Sequence, residues 1–196
     1  MWLECNLMRF SSFRVIILRL FLLFLPTSPT YIHTTQHITA AALFTYLQGA
    51  KKTIDLTTEL LGNPTLESEL AAAVTRGVYV RLISPLLVNG ASTSVQQTQN
   101  ASFVSLAEAG VDIHVTVPPE TYTTPYMHAR SAIVDGGKGG IYIGSISLSE
   151  DSITFNREVG LILKAAGAKL ALRRLQDRFN LDWATKSQSI QPWIYR

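Results

Sequence analysis

Apolar residues along this chain fall into alternating stretches of period near two and period near 3.6, which read as strands and helices in turn. Ile38 to Gly49, rich in Ala and Leu, predicts a helix. Thr53 to Thr58 (Thr-Ile-Asp-Leu-Thr-Thr) alternates and is β-branched, so it predicts a strand. Asn63 before Pro64 reads as a helix cap followed by proline at the first helical position, with Leu66, Leu70 and Val74 on one face and Gly77 as the stop. Val78 to Ile83 reads as the next strand, Ser84 to Gln99 as a polar loop, Phe103 to Ala109 as a helix ending at Gly110, and Val111 to Val117 as a strand. This first half is βαβαβ-like and predicts an α/β fold with a largely parallel sheet.

The second half changes rhythm. A loop from Pro118 to Pro125 leads to a short apolar strand at Ser131 to Val134. The turn Gly136-Gly137-Lys138-Gly139-Gly140 sends Ile141 to Ile143 back as a hairpin. Glu158 to Leu163 reads as a strand, and Ala166 to Trp183 as a closing helix with Leu170, Leu172, Leu175 and Phe179 at apolar positions. No internal repeat stands out. Thr27 to Gln36 reads as a linker, and residues 184–196 as a tail that needs a partner surface or stays mobile.

Composition sharpens this picture at three points. The 196 residues are 47% hydrophobic and 16% charged, which fits one globular domain and excludes a disordered chain. The formal net charge of +3 owes much to residues 1–30, which hold Arg9, Arg14 and Arg19 against Glu4 alone. The body is therefore nearly neutral, and charge steering toward nucleic acid is modest. The only cysteine, Cys5, excludes an intramolecular disulfide and a cysteine metal cluster. Within residues 1–30, basic residues precede an apolar run from Val15 to Leu25, interrupted by Arg19 and followed by Pro26, so 1–30 fits a signal or a short membrane anchor. Export or membrane association is the expected localisation.

The chemistry concentrates in one run. On a strand His128 and Arg130 share a face, so an imidazole lies beside a guanidinium, a pairing suited to an anionic substrate. Asp135 follows five residues later, and Ser145 and Ser147 share a parity that lets hydroxyls donate to phosphate oxygens. Glu158 is placed to accept from the other ring nitrogen of a histidine. Bland readings cover the other candidates. His33 and His37 are four apart but lack a third metal ligand, and His114 fits a partly buried strand residue. Arg157 fits a surface residue, and the Asn100-Ala101-Ser102 triplet matters only as a glycosylation acceptor in a secreted eukaryotic protein.

This constellation resembles the phospholipase D superfamily, whose signature is H-x-K-x4-D, then G-S-x-N and an N-R-E-like strand. Here it reads His128-x-Arg130-x4-Asp135, Gly144-Ser145-x-Ser147 and Asn156-Arg157-Glu158. Upstream, residues 50–58 look like the family's first strand, residues 70–81 like its A-x-x-R-G-V-x-V-R element and Ala109-Gly110-Val111 like its A-G-V element. Phe179 to Trp183 resembles its usual end, so the resemblance spans about residues 38–183. It implies a phospholipase D-like α/β sandwich with a mixed, largely parallel sheet flanked by helices. It also implies phosphodiester cleavage without metal or other cofactor, through a phosphohistidine. His128, Arg130 and Asp135 are the expected catalytic residues, and Ser145, Ser147 and Glu158 the expected substrate contacts.

Two motifs make such a site and this chain has one, so the resemblance implies a homodimer in which both histidines meet. Two positions depart from the pattern: Arg130 stands where the family has lysine, and Ser147 where it has asparagine. The expected activity is hydrolysis of phospholipid head-group diesters at a membrane surface. The alternatives are a secreted or tethered endonuclease, with Lys51, Lys52, Arg76 and Arg81 as its basic groove, and a degenerate module or half-enzyme.

Overall fold

The computed structural model describes residues 30–33, 36–123, 125–164 and 168–191, with side chains from residue 40 onward. The expected signal-like or membrane-anchor segment at 1–30, save Thr30, and the end of the tail at 192–196 lie outside the described residues, as do the side chains of His33 and His37. Among the described residues, eight strands form one sheet: β1 (Thr30–His33), β2 (Thr53–Thr57), β3 (Tyr79–Pro85), β4 (Asp112–Thr116), β5 (Ser131–Val134), β6 (Gly140–Gly144), β7 (Gly160–Leu163) and β8 (Gln188–Ser189). Their order across the sheet is β1-β7-β6-β5-β2-β3-β4-β8. The α-helices are α1 (Gln36–Gln48), α2 (Pro64–Thr75), α3 (Thr93–Glu108) and α4 (Lys169–Thr185).

Strand parity decides which helices cover which face. Ile54, Leu56, Val80, Leu82, Ile113, Val115, Ala132, Val134 and Tyr142 point to one side and pack on α1, α2 and α3 through Leu43, Leu47, Leu66, Leu70, Phe103 and Leu106. Ile83, Ile133 and Ile141 point to the other side, where α4 lays Leu172, Leu175, Phe179 and Trp183 over them. The result is an α/β sandwich, as expected. Asn63 caps α2 by accepting from the Leu66 N–H at 2.9 Å, with Pro64 at the first position.

The sheet is mixed but not largely parallel. Only β2–β3 and β3–β4 pair in parallel, while β1–β7, β7–β6, β6–β5, β5–β2 and β4–β8 pair antiparallel. Parallel neighbours need a long crossover, and α2 and α3 supply it only in the first half. Beyond β4, the 3₁₀ turn Asp135–Gly137 folds β5 directly onto β6.

Three local expectations also change. Residues 84–99 are not all loop: Ser92 caps α3, which starts at Thr93. The early turns of α3 are mostly solvent-facing, with Val95 exposed, so no apolar period marked them. The Asn100 triplet thus sits inside a helix, and Ser102 is buried, donating to Glu67 at 2.6 Å. Part of the expected linker forms β1, and the tail begins by adding β8 to the sheet edge, where Ile190 donates its N–H to the Ile113 carbonyl at 2.9 Å. His114 is the partly buried strand residue expected: its ring stacks on Trp183 at 3.7 Å, and burial lowers its pKa.

Candidate active site

The site forms at the end of the sheet where β2 finishes and β5 begins. The chain runs without regular secondary structure from Tyr126 to Arg130 before entering β5, and Met127 anchors it in the core beside α4. Gly144 of β6 donates its N–H to the Arg130 carbonyl at 3.2 Å, which fixes Arg130 over the sheet end. A Cβ at Gly144 would lie 2.6 Å from the Val159 carbonyl, so only glycine allows β6 and the residue before β7 to meet there.

Arg130 organises the cluster. Its Nε donates to Ser147 Oγ at 2.9 Å, its Nη2 donates to Glu59 and its Nη1 donates to the His128 carbonyl at 2.8 Å. The same Nη1 lies 3.0 Å from His128 Nδ1 and 3.2 Å from Nε2, so the guanidinium reaches across the imidazole. His128 is 66% exposed, whereas Arg130 is only 15% exposed, so the ring faces solvent and the cation beneath it is held. The arginine fork makes these contacts at three nitrogens at once, which a lysine ammonium does not.

Glu59, the second residue beyond β2, is the carboxylate that serves His128. Its Oε2 lies 3.3 Å from His128 Nε2, and its Oε1 accepts from the Tyr126 hydroxyl at 3.0 Å. Burial and the bond to Glu59 help push the Tyr126 phenol up to about 12, so it remains a donor at neutral pH. Gln99, fully buried, holds the Glu59 backbone: its amide nitrogen donates to the carbonyls of Glu59 at 3.3 Å and Pro85 at 3.2 Å, and its oxygen accepts from the Leu61 N–H at 2.8 Å. Sequence reasoning missed Glu59, Tyr126 and Gln99. The signal available for Glu59 was its place just after a strand that ends beside the histidine.

The six expected residues separate into groups. His128, Arg130 and Ser147 come together. Ser145 and Glu158 line the adjoining cleft, but Glu158 does not reach the histidine ring. It accepts from the hydroxyls of Ser145 and Ser152, the latter at 2.5 Å, and Ser152 in turn accepts from the Ser147 N–H at 3.0 Å. Glu158 thus shapes the serine turn, and Glu59 takes the place expected for it beside His128. Asp135 is also corrected. It lies at the opposite end of β5, where its carboxylate accepts the backbone N–H groups of Lys51, Lys52 (2.7 Å) and Thr53 (3.1 Å). Burial pushes its pKa up, but these N–H groups and the Lys52 charge outweigh that and hold it below the usual carboxylate value. Its work is to pin the start of β2.

A cleft of about 380 Å³ opens beside Arg130, lined by Ser145, Ser147, Ser152, Glu150, Asp151 and Glu158 among others. Hydroxyls and carboxylates therefore surround one arginine that already faces Glu59. The cations expected to form a nucleic-acid groove are elsewhere. Lys51 and Lys52 precede β2, Arg76 precedes β3, and Arg81 pairs with Asp55 at 2.7 Å under α4.

Comparisons with known proteins bear on the family and the fold. The family model for the cardiolipin synthase, PLD-like domain matches residues 43–183. Cardiolipin synthase A of Erwinia tasmaniensis is 27% identical over 158 residues, covering 79% of this chain and 30% of that protein. Cardiolipin synthase A of Yersinia pestis is 27% identical over 139 residues, covering 70% and 26%. The chain thus spans less than a third of the length of these curated relatives. The fold is similar to Nuc, a phospholipase D family member from Salmonella typhimurium, with a TM-score of 0.65 at 18% identity, covering 82% of this chain and 98% of that one. It is also similar to phosphatidylserine synthase from Haemophilus influenzae, with a TM-score of 0.61 at 11% identity, covering 82% and 39%. The chain belongs to the cardiolipin synthase, PLD-like domain family of the phospholipase D superfamily, a phosphodiester-acting group.

Proposed function

We propose that this chain supplies one half of a phosphodiester-cleaving site that acts on phospholipid head groups. The observation that carries the reading is the Glu59–His128–Arg130–Ser147 cluster, two of whose members, Arg130 and Ser147, line the hydroxyl- and carboxylate-bearing cleft. A phosphate arriving at Arg130 takes over the Nη1 donor and frees the imidazole beside it. A ring nitrogen of His128 then attacks phosphorus, and the bond from phosphorus to the head-group oxygen breaks. The departing alkoxide takes a proton from a second acid, and His128 of a second copy is the natural source. Water or an acceptor alcohol, deprotonated by that same second histidine, then attacks the phosphohistidine and releases it. Glu59 beside Nε2 holds the ring and stabilises the charge it gains.

The cleft favours a head group over a polynucleotide. Glu150, Asp151 and Glu158 repel a polyanion, whereas serine hydroxyls and carboxylates suit a polyol or cationic alcohol. The match to cardiolipin synthases supports the same substrate class. The apolar segment at Val15–Leu25 supports a membrane-associated or exported location. A nuclease reading is favoured by one observation, the near-complete coverage of the Nuc chain by this fold. Incubating the purified chain with phosphatidylcholine vesicles and with single-stranded DNA in parallel separates the two. Choline release is expected. Nucleotide release without choline overturns the lipid reading, and no release from either substrate identifies a non-catalytic module.

A further inference from the structure

Among the described residues, large exposed apolar side chains gather at the end of the sheet that holds the site: Leu87, Val95, Tyr122, Ile143, Phe155 and Val159. The others are Tyr79 at the start of β3 and Leu170 and Leu181 on α4. Val95, in the first turn of α3, is part of the wall of the cleft that Arg130 and Ser147 line. Phe155, 69% exposed, ends the π-helical turn Asp151–Phe155 and is followed by Asn156, another wall residue. Leu87, 50% exposed, is held near Val95 by Gln96 of α3, which donates to the Leu86 carbonyl and accepts from the Val88 N–H, both at 3.0 Å. The loop carrying Tyr122 starts beside Leu86, whose N–H donates to the Thr116 carbonyl at 2.9 Å. It returns at Tyr126, whose hydroxyl accepts from the Asn89 N–H at 3.2 Å.

The charge at this mouth says what it meets. Glu150, Asp151 and Glu158 line the cleft, and Glu120 is exposed on the Tyr122 loop. Of the nearby cations, Arg130 is engaged by Glu59, and Arg157 is exposed two residues beyond Phe155. The exposed Lys51, Lys52 and Lys138 sit at the other end, by the start of β2 and the β5–β6 turn. Apolar side chains ringed by carboxylates suit neither an anionic membrane nor a polynucleotide. They suit zwitterionic lipid, whose outermost ammonium groups attract carboxylates while apolar side chains enter below the head groups. A second copy seated rim to rim would instead bring the same carboxylates together. His128 is not in the cleft wall, so a second copy meeting its ring and a lipid surface meeting the rim use different neighbours.

We propose that the rim of Leu87, Val95, Tyr122 and Phe155 seats on a zwitterionic phospholipid bilayer and brings its head groups to the cleft. The inference rests on the phospholipid reading of the site, and it adds the surface through which the substrate arrives. Attachment and turnover then share one end of the sheet. Docking is driven by apolar contact, so it does not depend on anionic lipid or on low salt.

The test is co-sedimentation of the full chain carrying His128→Ala, so that binding is read without turnover, with vesicles of phosphatidylcholine and of phosphatidylcholine with phosphatidylserine. Binding to phosphatidylcholine alone is expected, with no gain from phosphatidylserine. It should survive about 1 M salt, where screening reaches about 3 Å. Leu87→Ser and Phe155→Ser should each lower the partition about ten-fold, and Leu170→Ser on α4 should not. With His128 intact, the Leu87→Ser, Phe155→Ser double variant should keep turnover of a soluble diester and lose turnover of vesicle lipid. Binding that requires phosphatidylserine, or a double variant that keeps full partition, overturns the proposal. So does loss of soluble-diester turnover in that variant, or its conversion of a wild-type dimer to a monomer in light scattering, which assigns the rim to a second copy. A chain that binds vesicles as expected yet turns over neither substrate upholds the docking and fails the catalytic reading alone.

Discussion

Replacing Asp135 should cost stability and leave the chemistry intact. Its carboxylate accepts three backbone N–H groups at the start of β2, with contacts from 2.7 to 3.2 Å. Hydrogen bonds to a charged acceptor contribute about 1.5–3 kcal/mol each when shielded. Lys51 and Lys52 are exposed and water can replace part of their bonding, so the three together stabilise the fold by about 2–3 kcal/mol. Asp135 also sits at φ +53°, a left-handed conformation that costs alanine about 1 kcal/mol more. Asp135→Ala should therefore lose about 3–4 kcal/mol, and Asp135→Asn, which keeps an acceptor and tolerates that φ, about 1 kcal/mol.

Urea unfolding at neutral pH measures both losses. The folded pKa of Asp135 is depressed, so its contribution is present above the unfolded carboxylate value of about 3.9 and is lost as pH falls through the lower folded value. The gap between wild type and Asp135→Asn should close in that acid range. Turnover per folded molecule should match wild type in both variants. An Asp135→Asn protein that unfolds like wild type yet fails to turn over would refute the structural role and return Asp135 to the catalytic set.

Other expectations follow from the cluster around Arg130. Arg130→Lys restores the family residue but cannot reach Ser147, Glu59 and His128 together, so kcat/KM on a phosphodiester reporter should fall on the order of ten-fold or more. Equal or higher activity would mean the arginine is only a phosphate clamp. Gln99→Leu leaves the buried Leu61 N–H without its acceptor and removes the amide donor to the Glu59 and Pro85 carbonyls, and should lower the unfolding free energy by about 3 kcal/mol in a urea titration. Because His128 is the nucleophile in this account, EDTA should not change turnover. A loss restored by a divalent ion would point to another mechanism.

Much of this was legible in the sequence because the signals were local. Asn63-Pro64 announced α2, the glycine turn announced the β5–β6 hairpin, and the motif put His128 and Arg130 in contact, though in the segment before β5 and not on a strand face. What was not legible depended on distant contacts. Glu59 meets Arg130 only because β2 and β5 are sheet neighbours, a pairing no local pattern encodes. Glu158 has the residue type and motif position of a histidine partner, yet Ser145 and Ser152 are nearer and take both of its oxygens. Asp135 belongs to the same motif as His128, but a strand carries them to opposite ends. The polar start of α3 gave no amphipathic period because little of it touches the core. The antiparallel share of the sheet was hidden by a first half that reads as repeated βαβ units.

The central claim is that His128 carries the phosphoryl group. The direct measurement is peptide mass spectrometry of the chain quenched in base during turnover of a phosphodiester substrate, beside His128→Ala. The account predicts a phosphoryl adduct on the peptide holding His128, and neither adduct nor turnover in the variant. Undiminished turnover by His128→Ala, or an adduct on another residue, would contradict it.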